Sequence, residues 1–312
     1  MAPPHSPRKG SMQYWPRKRA RKLLPSPNWK AIKSNSEKKI RGFICYKAGM
    51  ASAFVKDDTA DSMTKGKKII VPVTIIECPA MKILSVRFYK NGKVAKDVLA
   101  ENIDKEVKKK VKVPKVGKKP DFNGDYDDVR VICYSVVKKT EIKKTPDLSE
   151  IAIDGNFEEK MNFIKENLGK EISITNVFEK GKLVDFRGLS KGKGFQGPVK
   201  RFGITLKSHK SEKGQRRPGA IGSFHPGRTT IYAAMAGQVG MFTRVLYNNK
   251  ILSVAKADDK LKNILNYGDV KTDYIVVAGS VQGPAKRQLL VTPALRPTKK
   301  QLKKNYELIE LR

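Results

Sequence analysis

Short apolar runs dominate the chain from Lys39 onward, and they predict β-strands because they are rich in β-branched residues. They cover residues 39–47, 67–78, 82–90, 128–137, 171–179, 182–188, 241–257, 273–281 and 287–294. These strands are too many and too short for a doubly wound sheet. They favour a closed β-barrel interrupted by a helix-containing insertion. Asn248-Asn249 predicts a hairpin turn within the run 241–257.

Apolar residues at helical spacing predict three helices, over residues 92–113, 156–168 and 298–312. The second has the clearest boundaries, because Asn156 precedes it in capping-box spacing with Glu159 and Gly169 ends it. The stripes consist of Val94, Val98, Leu99, Ile103 and Val107; of Phe157, Met161, Ile164 and Leu168; and of Leu302, Tyr306 and Ile309. Such stripes usually face a protein core.

Two basic segments follow neither pattern. Residues 1–36 contain nine Lys or Arg, six prolines and no acid, while residues 182–228 contain 12 Lys or Arg, two acids and nine glycines. Neither has enough large apolar side chains to bury, and the charge opposes collapse. Aromatic residues such as Trp15 and Trp29 could stack on bases or pack in RNA grooves. Both segments are therefore expected to become ordered on a polyanion.

The whole composition also favours a large anionic partner. The 312 residues include 65 Lys and Arg against 30 Asp and Glu, a formal net charge of +35, with a sequence pI near 10.0. Nucleic acid fits because phosphate neutralisation releases condensed counterions. The 39% of hydrophobic residues still allows a normal core beside these basic segments.

The cysteines and the N-terminus predict an intracellular protein with no membrane partner. Cys45, Cys78 and Cys133 lie in apolar runs without zinc-site spacing, so they indicate buried thiols and a reducing compartment. The basic N-terminus lacks the apolar stretch of a secretory signal. The longest apolar run is too short to cross a bilayer.

A glycine motif at residues 192–197 matches GxGxxG but lacks the context of a nucleotide site. A dinucleotide fold needs a helix that starts here and an acid about twenty residues later. Pro198 follows instead, no helical stripe begins, and Arg216-Arg217 occupy the later position. The glycines instead indicate a loop whose backbone approaches another surface closely.

Two possible metal motifs fail in the same way. Residues 121–132 resemble part of a calcium loop, but the glycine falls at 124 rather than at the sixth position, and the twelfth position is Ile132 instead of Glu. A polar turn before the strand at 128–137 is therefore predicted. The surroundings of the histidines are mainly Lys, Arg and Gly, without the set of Cys, Asp or Glu ligands that a metal site needs. The three histidines are His5, His209 and His225. No cofactor, metal or catalytic residue is expected.

Five motifs together resemble one family, the large-subunit ribosomal protein L-three family in its archaeal/eukaryotic cytosolic form. They are PRKGSMQYWPRKRA at 7–20, GLSKGKGFQGPVKRFG at 188–203, SHKSEKGQRRPGAIGSFHPG at 208–227, AGQVG at 236–240 and VAGSVQGPAKRQLLVTPA at 277–294. Their order and length make the set far more specific than any one of them. The resemblance is weakest over residues 90–170.

The resemblance implies a mainly β fold with an α+β insertion. Its centre would be a six-stranded β-barrel of the translation-factor type, with an N-terminal extension and a central loop that both penetrate rRNA. The expected regions are a basic N-terminal extension (1–36), a first barrel segment (37–90), an α/β insertion (91–170), further barrel strands (171–187), a basic Gly-rich central loop (188–238), a last barrel segment (239–297) and a C-terminal helix (298–312).

The resemblance also implies a structural constituent of the cytoplasmic large ribosomal subunit, not an enzyme. Its partners would be large-subunit rRNA and neighbouring ribosomal proteins, without homo-oligomerisation. The loop tip, Gly222 to Pro226, would approach the peptidyl transferase centre and the A-site corridor, with indirect influence on aminoacyl-tRNA and elongation factors. Phe224 stands where Trp is usual, so it can stack but lacks the indole N–H. His209 matches a histidine that is methylated in some members.

The expected RNA-binding residues lie in both basic segments, where cations would neutralise phosphates and rings would stack on bases. They are Trp15, Arg17, Lys18, Arg19, Arg21, Lys22, Lys191, Lys193, Phe195, Lys200, Arg201, Lys207, His209, Lys210, Lys213, Arg216, Arg217, Phe224, His225 and Arg228.

Two other classes of protein remain alternatives. An RNA-modifying enzyme could use the glycine loop for a cofactor, and stabilisation by a specific nucleotide in a thermal-shift titration would favour it. A DNA-architectural protein is compatible with the charge, but the sequence lacks a recognisable DNA-docking helix. Ribosome co-sedimentation would separate that class from a ribosomal protein.

Overall fold

The computed structural model describes residues 14–32, 39–114, 117, 119–225, 227–256 and 261–312. It is mainly β, as the sequence predicts. The strands are β1 (Phe43–Asp57), β2 (Lys68–Glu77), β3 (Met81–Lys90), β4 (Lys93–Leu99), β5 (Asp128–Ser135), β6 (Leu148–Ala152), β7 (Leu183–Leu189), β8 (Phe195–Gln196), β9 (Gly237–Gln238), β10 (Thr243–Ala255), β11 (Tyr274–Ala278), β12 (Gln288–Pro293) and β13 (Tyr306–Leu311). The helices are α1 (Phe157–Asn167), α2 (Pro198–Phe202) and α3 (Lys299–Lys303), with 3-10 helices at Lys105–Lys109, Val137–Thr140 and Ile174–Asn176.

The chain divides into two compact units. Residues 1–22 and 189–243 form one, which we call the basic unit, and residues 23–188 and 244–312 form the other, the strand-rich unit. The sequence predicts the N-terminal extension and the central loop as separate regions, whereas here residues from both segments belong to one unit.

The larger sheet of the strand-rich unit closes on itself. Its hydrogen-bonded order runs from β1 through β2, β11, β10, β7 and β12 and returns to β1. Strand β13 pairs with the C-terminal end of β1, residues 53–57. Phe43, Ile76 and Val291 of this six-strand circuit are fully buried in the main hydrophobic core.

A second sheet has the order β4-β3-β5-β6. Its strand β3 corrects the prediction that residues 37–90 all belong to the barrel, because β3 pairs with β4 and β5 instead. Helix α1 packs against β5 and confirms the helix predicted over 156–168. Its Met161 and Ile164 are buried, and Gly169 follows it with φ 78°.

The helix predicted over residues 92–113 is wrong. Residues 93–99 form β4, and only the 3-10 turn at Lys105–Lys109 is helical. Asn91 and Gly92 have φ of 50° and 73°, and Lys90 pairs with Lys93 across them. This Asn-Gly hairpin turn is the sequence signal that identifies β4. The strand predicted over 171–179 is wrong as well, since a 3-10 helix occupies Ile174–Asn176.

The hairpin predicted at Asn248-Asn249 is also wrong, because β10 continues through both residues. Asn248 has φ 58°, and its N–H donates to Oδ1 of Asp185 at 2.8 Å. Burial raises the pKa of the Asp185 carboxyl, which also accepts the Leu295 N–H at 2.9 Å. Asn248 therefore adopts an αL conformation, held by a buried carboxyl, without ending the strand.

The C-terminal helix predicted over 298–312 is correct only for its first turn. Helix α3 ends at Lys303, and β13 then pairs with β1 from Asp57 to Ala53. The buried Lys250 ammonium donates to the Leu302 carbonyl at 3.1 Å, which satisfies a helix-end acceptor. Leu308 packs on the cluster around Val55, so tertiary pairing outweighs the helical spacing.

The burial of Trp29 and of the three cysteines tests the roles predicted for them. Trp29, predicted to contact RNA, is 3% exposed in the main core, where the absent side chain of Gly42 leaves room for its ring. The three cysteines are free and buried, as predicted. Burial raises the pKa of the Cys133 thiol to about 12, so that thiol stays protonated. Among the described residues, no helix has the length and apolar composition needed to cross a membrane.

Candidate nucleic-acid interface

The basic unit concentrates positive charge. Its 77 residues include 17 Lys and Arg and one acid, Glu212. Most of its described cations are exposed, namely Lys18, Arg19, Arg21, Lys22, Lys191, Lys193, Lys200, Lys207, Lys210, Lys213, Arg216, Arg217 and Arg228. From Lys191 to Arg228, no exposed Lys or Arg of the described chain has an acidic side chain within 4.0 Å. Such unpaired cations are available to phosphates.

The base of the central loop is a narrow β ladder built from glycine motifs. The Lys193 N–H donates to the Val239 carbonyl and the Val239 N–H to the Gly194 carbonyl, both at 2.9 Å. Gly240 has φ 76°, and a Cβ there would lie 2.0 Å from the Lys191 carbonyl oxygen. The glycines therefore allow two backbone segments to approach closely, as the sequence indicates for residues 192–197.

The same glycine motif leads into a helix, contrary to the prediction that none begins there. Helix α2 follows Gly197 with Pro198 at its start, but Gly203 ends it after five residues with φ 65°. Its role is to place two adjacent side chains, Arg201 and Phe202, toward the N-terminal segment.

An aromatic and arginine cluster joins that N-terminal segment to the loop. The rings of Trp15 and Phe202 stack at 6.1 Å with an interplanar angle of 15°, and Tyr232 meets Trp15 edge-on at 5.4 Å. The Arg17 guanidinium lies 4.6 Å from the Trp15 centroid and 4.3 Å from the Phe202 centroid. Cation–π and ring contacts of this kind stabilise the protein itself.

Arg201 is the hydrogen-bonding centre of this cluster. Its guanidinium donates to the carbonyls of Met235 at 2.9 Å, Ala236 at 3.4 Å, Gln238 at 3.2 Å and Arg17 at 3.2 Å. Burial lowers the pKa of Arg201, but a guanidinium remains protonated throughout the physiological range. One charged fork thus satisfies four carbonyls from two distant stretches of the chain.

Gly237 leaves the space that Arg201 occupies. A Cβ at Gly237 would lie 2.8 Å from the Arg201 guanidinium carbon. Gly237→Ala would therefore displace the guanidinium and break some of its hydrogen bonds. We expect the amides of Lys193 and Val239 to exchange about tenfold faster in this variant, as for a loss of about 1.4 kcal/mol. Hydrogen exchange measured by NMR tests this.

Gly197→Ala is the matched control, because a Cβ at Gly197 would meet nothing within 4 Å. Equal exchange rates in the two variants would contradict the role of Gly237.

Most of the predicted RNA-binding residues are exposed, including Phe195 at 77% and Phe224 at 86%. Trp15, Arg17 and Arg201 are half-buried in the cluster instead. These three residues therefore have a structural role, which competes with the RNA contacts predicted for them. Tyr232 is a member that the sequence prediction missed. Its signal was available, because it is one more aromatic residue within the basic loop.

The predicted loop tip presents two rings. Phe224 and His225 lie edge-to-face at 5.1 Å, and the Ser223 hydroxyl donates to the His225 carbonyl. Exposed His209 lies elsewhere in the loop. Pro226 and residues 7–13 of the first motif lie outside the described residues.

The predicted polar turn at residues 121–127 is confirmed, because Asp121 accepts the Asn123 N–H at 3.0 Å before β5 begins. The described residues contain no group of three or more His, Cys, Asp or Glu side chains placed to hold a metal ion.

Comparison with known proteins gives one consistent family. The family described as Ribosomal protein L3 matches residues 1–128 and 121–312. A protein named large ribosomal subunit protein uL3 from Methanocaldococcus jannaschii is 38% identical over 309 residues, covering 93% of this chain and 92% of the relative. Proteins of the same name from Methanobrevibacter smithii and Archaeoglobus fulgidus are 39% and 37% identical, with coverage of 95% of this chain and 94% and 93% of their own lengths.

Proposed function

Because the chain belongs to the ribosomal protein L3 family, a family of structural components and not of enzymes, we propose that it is an rRNA-binding constituent of the cytoplasmic large ribosomal subunit. The name of the relatives, large ribosomal subunit protein uL3, supports the assignment to the large subunit. The observation that supports rRNA as the ligand is the basic unit, with 17 cations and one acid in 77 residues.

The binding that we propose is mainly electrostatic and reads shape rather than sequence. The exposed lysines and arginines of the basic unit would neutralise phosphates that the folded RNA brings together. Exposed Phe195 and Phe224 would stack on unpaired bases, which RNA loops and bulges offer. Neighbouring ribosomal proteins would complete the environment, and the chain would act as a single copy.

The central loop is the region that we propose to act near the catalytic RNA. Its tip, Gly222 to Pro226, would lie near the peptidyl transferase centre and the A-site corridor. There it would support assembly and influence aminoacyl-tRNA and elongation factors indirectly. Its exposed Phe224 ring supports a stacking role there. The closed six-strand circuit supports the translation-factor type of barrel as the scaffold.

Salt dependence of rRNA binding tests this function. We expect the logarithm of the association constant for protein-free large-subunit rRNA to fall linearly with the logarithm of salt concentration, with a slope steeper than about −5, because each phosphate contact contributes roughly −0.7 to −0.9. Filter binding or fluorescence anisotropy between about 0.05 and 0.3 M salt measures it. A flat response would contradict phosphate-dominated binding.

A further inference from the structure

A second group of unpaired cations lies on the strand-rich unit, next to the four-stranded sheet. Five lysines occur within eight residues around the 3-10 turn at Lys105–Lys109, and all five are exposed. They are Lys105, Lys108, Lys109, Lys110 and Lys112. The only acid in this stretch is Glu106, which pairs with Lys138 at 3.4 Å.

This lysine segment is fixed to the sheet by its other residues. Val107 is fully buried against Leu84 and Tyr134. The carboxylate of Asp104, just before the turn, accepts hydrogen bonds from the Lys82 ammonium at 3.1 Å and the Tyr134 hydroxyl at 2.8 Å. The backbone that carries the lysines is therefore ordered by the protein alone, and a ligand would not have to order it.

Several basic residues of the same sheet, and Lys160 of helix α1 beside it, have acidic partners. Arg87 pairs with Asp97 at 2.8 Å, and Arg130 pairs with Glu150 at 3.0 Å. Lys160 pairs with Asp128 at 2.6 Å.

In contrast, none of the five lysines has an acidic side chain within 4.0 Å among the described residues. Crowded like charges that are not offset by acids repel one another, and an anion bound across them would remove that repulsion.

We propose that these five lysines form a second RNA-backbone-binding surface, carried by the strand-rich unit and separate in sequence from both basic extensions. The inference rests on the proposed function, because it takes the ligand to be rRNA. Lysine ammonium groups are point charges that suit phosphates without fixing a base identity. The surface would therefore bind the sugar-phosphate backbone of a folded RNA segment.

A five-lysine variant tests this surface. In the full-length chain, K105Q/K108Q/K109Q/K110Q/K112Q should weaken binding to protein-free large-subunit rRNA at least tenfold at about 0.1 M salt, since each lost phosphate contact is worth nearly tenfold there. The matched control is K65Q/K67Q/K68Q/K299Q/K300Q, which removes five other exposed lysines and the same net charge. We expect less than about threefold loss for the control, from long-range charge alone.

Lysine acetylation footprinting makes the result independent of folding defects in the variant. In the unmodified chain bound to the same rRNA, the five lysines should react severalfold more slowly than in the free chain, and the control lysines should not. Equal losses in the two variants, or unprotected lysines at 105–112, would overturn the proposal. Protection that appears only in the intact subunit would also overturn it, because the partner would then be a protein.

The proposed function has a separate outcome in the same experiment. If the lysines of the central loop are protected by rRNA and those of residues 105–112 are not, the proposed function stands and this inference alone fails.

Discussion

Replacing residues 197–236 by the dipeptide Asn-Gly is expected to leave the strand-rich unit folded and to weaken rRNA binding at least a hundredfold. Gln196 and Gly237 are paired residues of β8 and β9, so a two-residue type I′ turn can join them. The ladder between Lys193 and Val239 remains below the new turn. The excised segment contains Lys200, Arg201, Lys207, Lys210, Lys213, Arg216, Arg217 and Arg228.

The size of the expected loss follows from the charge removed. At about 0.1 M salt each phosphate contact contributes nearly tenfold to the association constant, so the loss of only three of eight cations as contacts gives more than a hundredfold. The apolar core of the strand-rich unit contains no residue from the excised range. The midpoint of thermal unfolding, followed by circular dichroism, should therefore stay within a few degrees of the unmodified chain.

A charge-only variant separates electrostatics from shape. It keeps the loop and the half-buried Arg201, and it replaces the other seven cations, all exposed, with Gln. If it binds rRNA as weakly as the excised chain, charge accounts for the affinity. If it binds much more tightly, stacking by residues such as Phe224 contributes. An excised chain that cannot fold would mean that the loop belongs to the core, and one that binds with unchanged affinity would refute the interface.

The six strands of the closed circuit could be located from the sequence because local residue preference and burial agree there. In β12, for example, Leu289, Leu290 and Val291 are β-branched or large apolar residues, and all are fully buried. The prediction failed where long-range pairing decides. Residues 306–311 have a helical stripe, but they become a strand because β1 offers an edge with which they can pair. That edge is more than 240 residues away in the chain, so no local pattern reports it.

In the candidate interface too, some features could be predicted from the sequence and others could not. Net charge and its clustering are properties of composition, so the basic segments could be located from the sequence alone. The direction in which an arginine points could not. Arg201 and Arg217 are both arginines in a Gly-rich basic loop, yet one is half-buried beneath carbonyls and the other is exposed. The four carbonyls that hold Arg201 come from residue 17 and residues 235–238, and only the folded chain brings these together.

Arg201→Lys is expected to loosen the N-terminal segment although it conserves charge. A lysine ammonium has three donors and cannot reproduce the planar fork that reaches the carbonyls of Arg17, Met235 and Gln238. Each lost charged hydrogen bond costs about 1.5–3 kcal/mol. The Ala20 amide donates to the Met241 carbonyl at 3.0 Å, so it reports closure of this unit. We expect its hydrogen exchange to accelerate roughly tenfold to a hundredfold.

Trp15 provides a second measurement. The chain has two tryptophans, and Trp29 is 3% exposed in the core, so acrylamide quenching above a small constant background reports Trp15. In Arg201→Lys the quenching constant should rise as the stack with Phe202 opens.

Arg217→Lys is the matched control, because Arg217 is exposed and lies in the same loop. It should leave both signals unchanged. If Arg201 instead acts only as a phosphate contact, the two substitutions would behave alike in the free chain, since lysine replaces arginine well as a point charge on a phosphate. Unchanged exchange and quenching in Arg201→Lys would therefore remove the structural role of Arg201. Because the fork joins residue 17 to residues 235–238, a changed signal in Arg201→Lys alone would mean that the basic unit forms before RNA is bound.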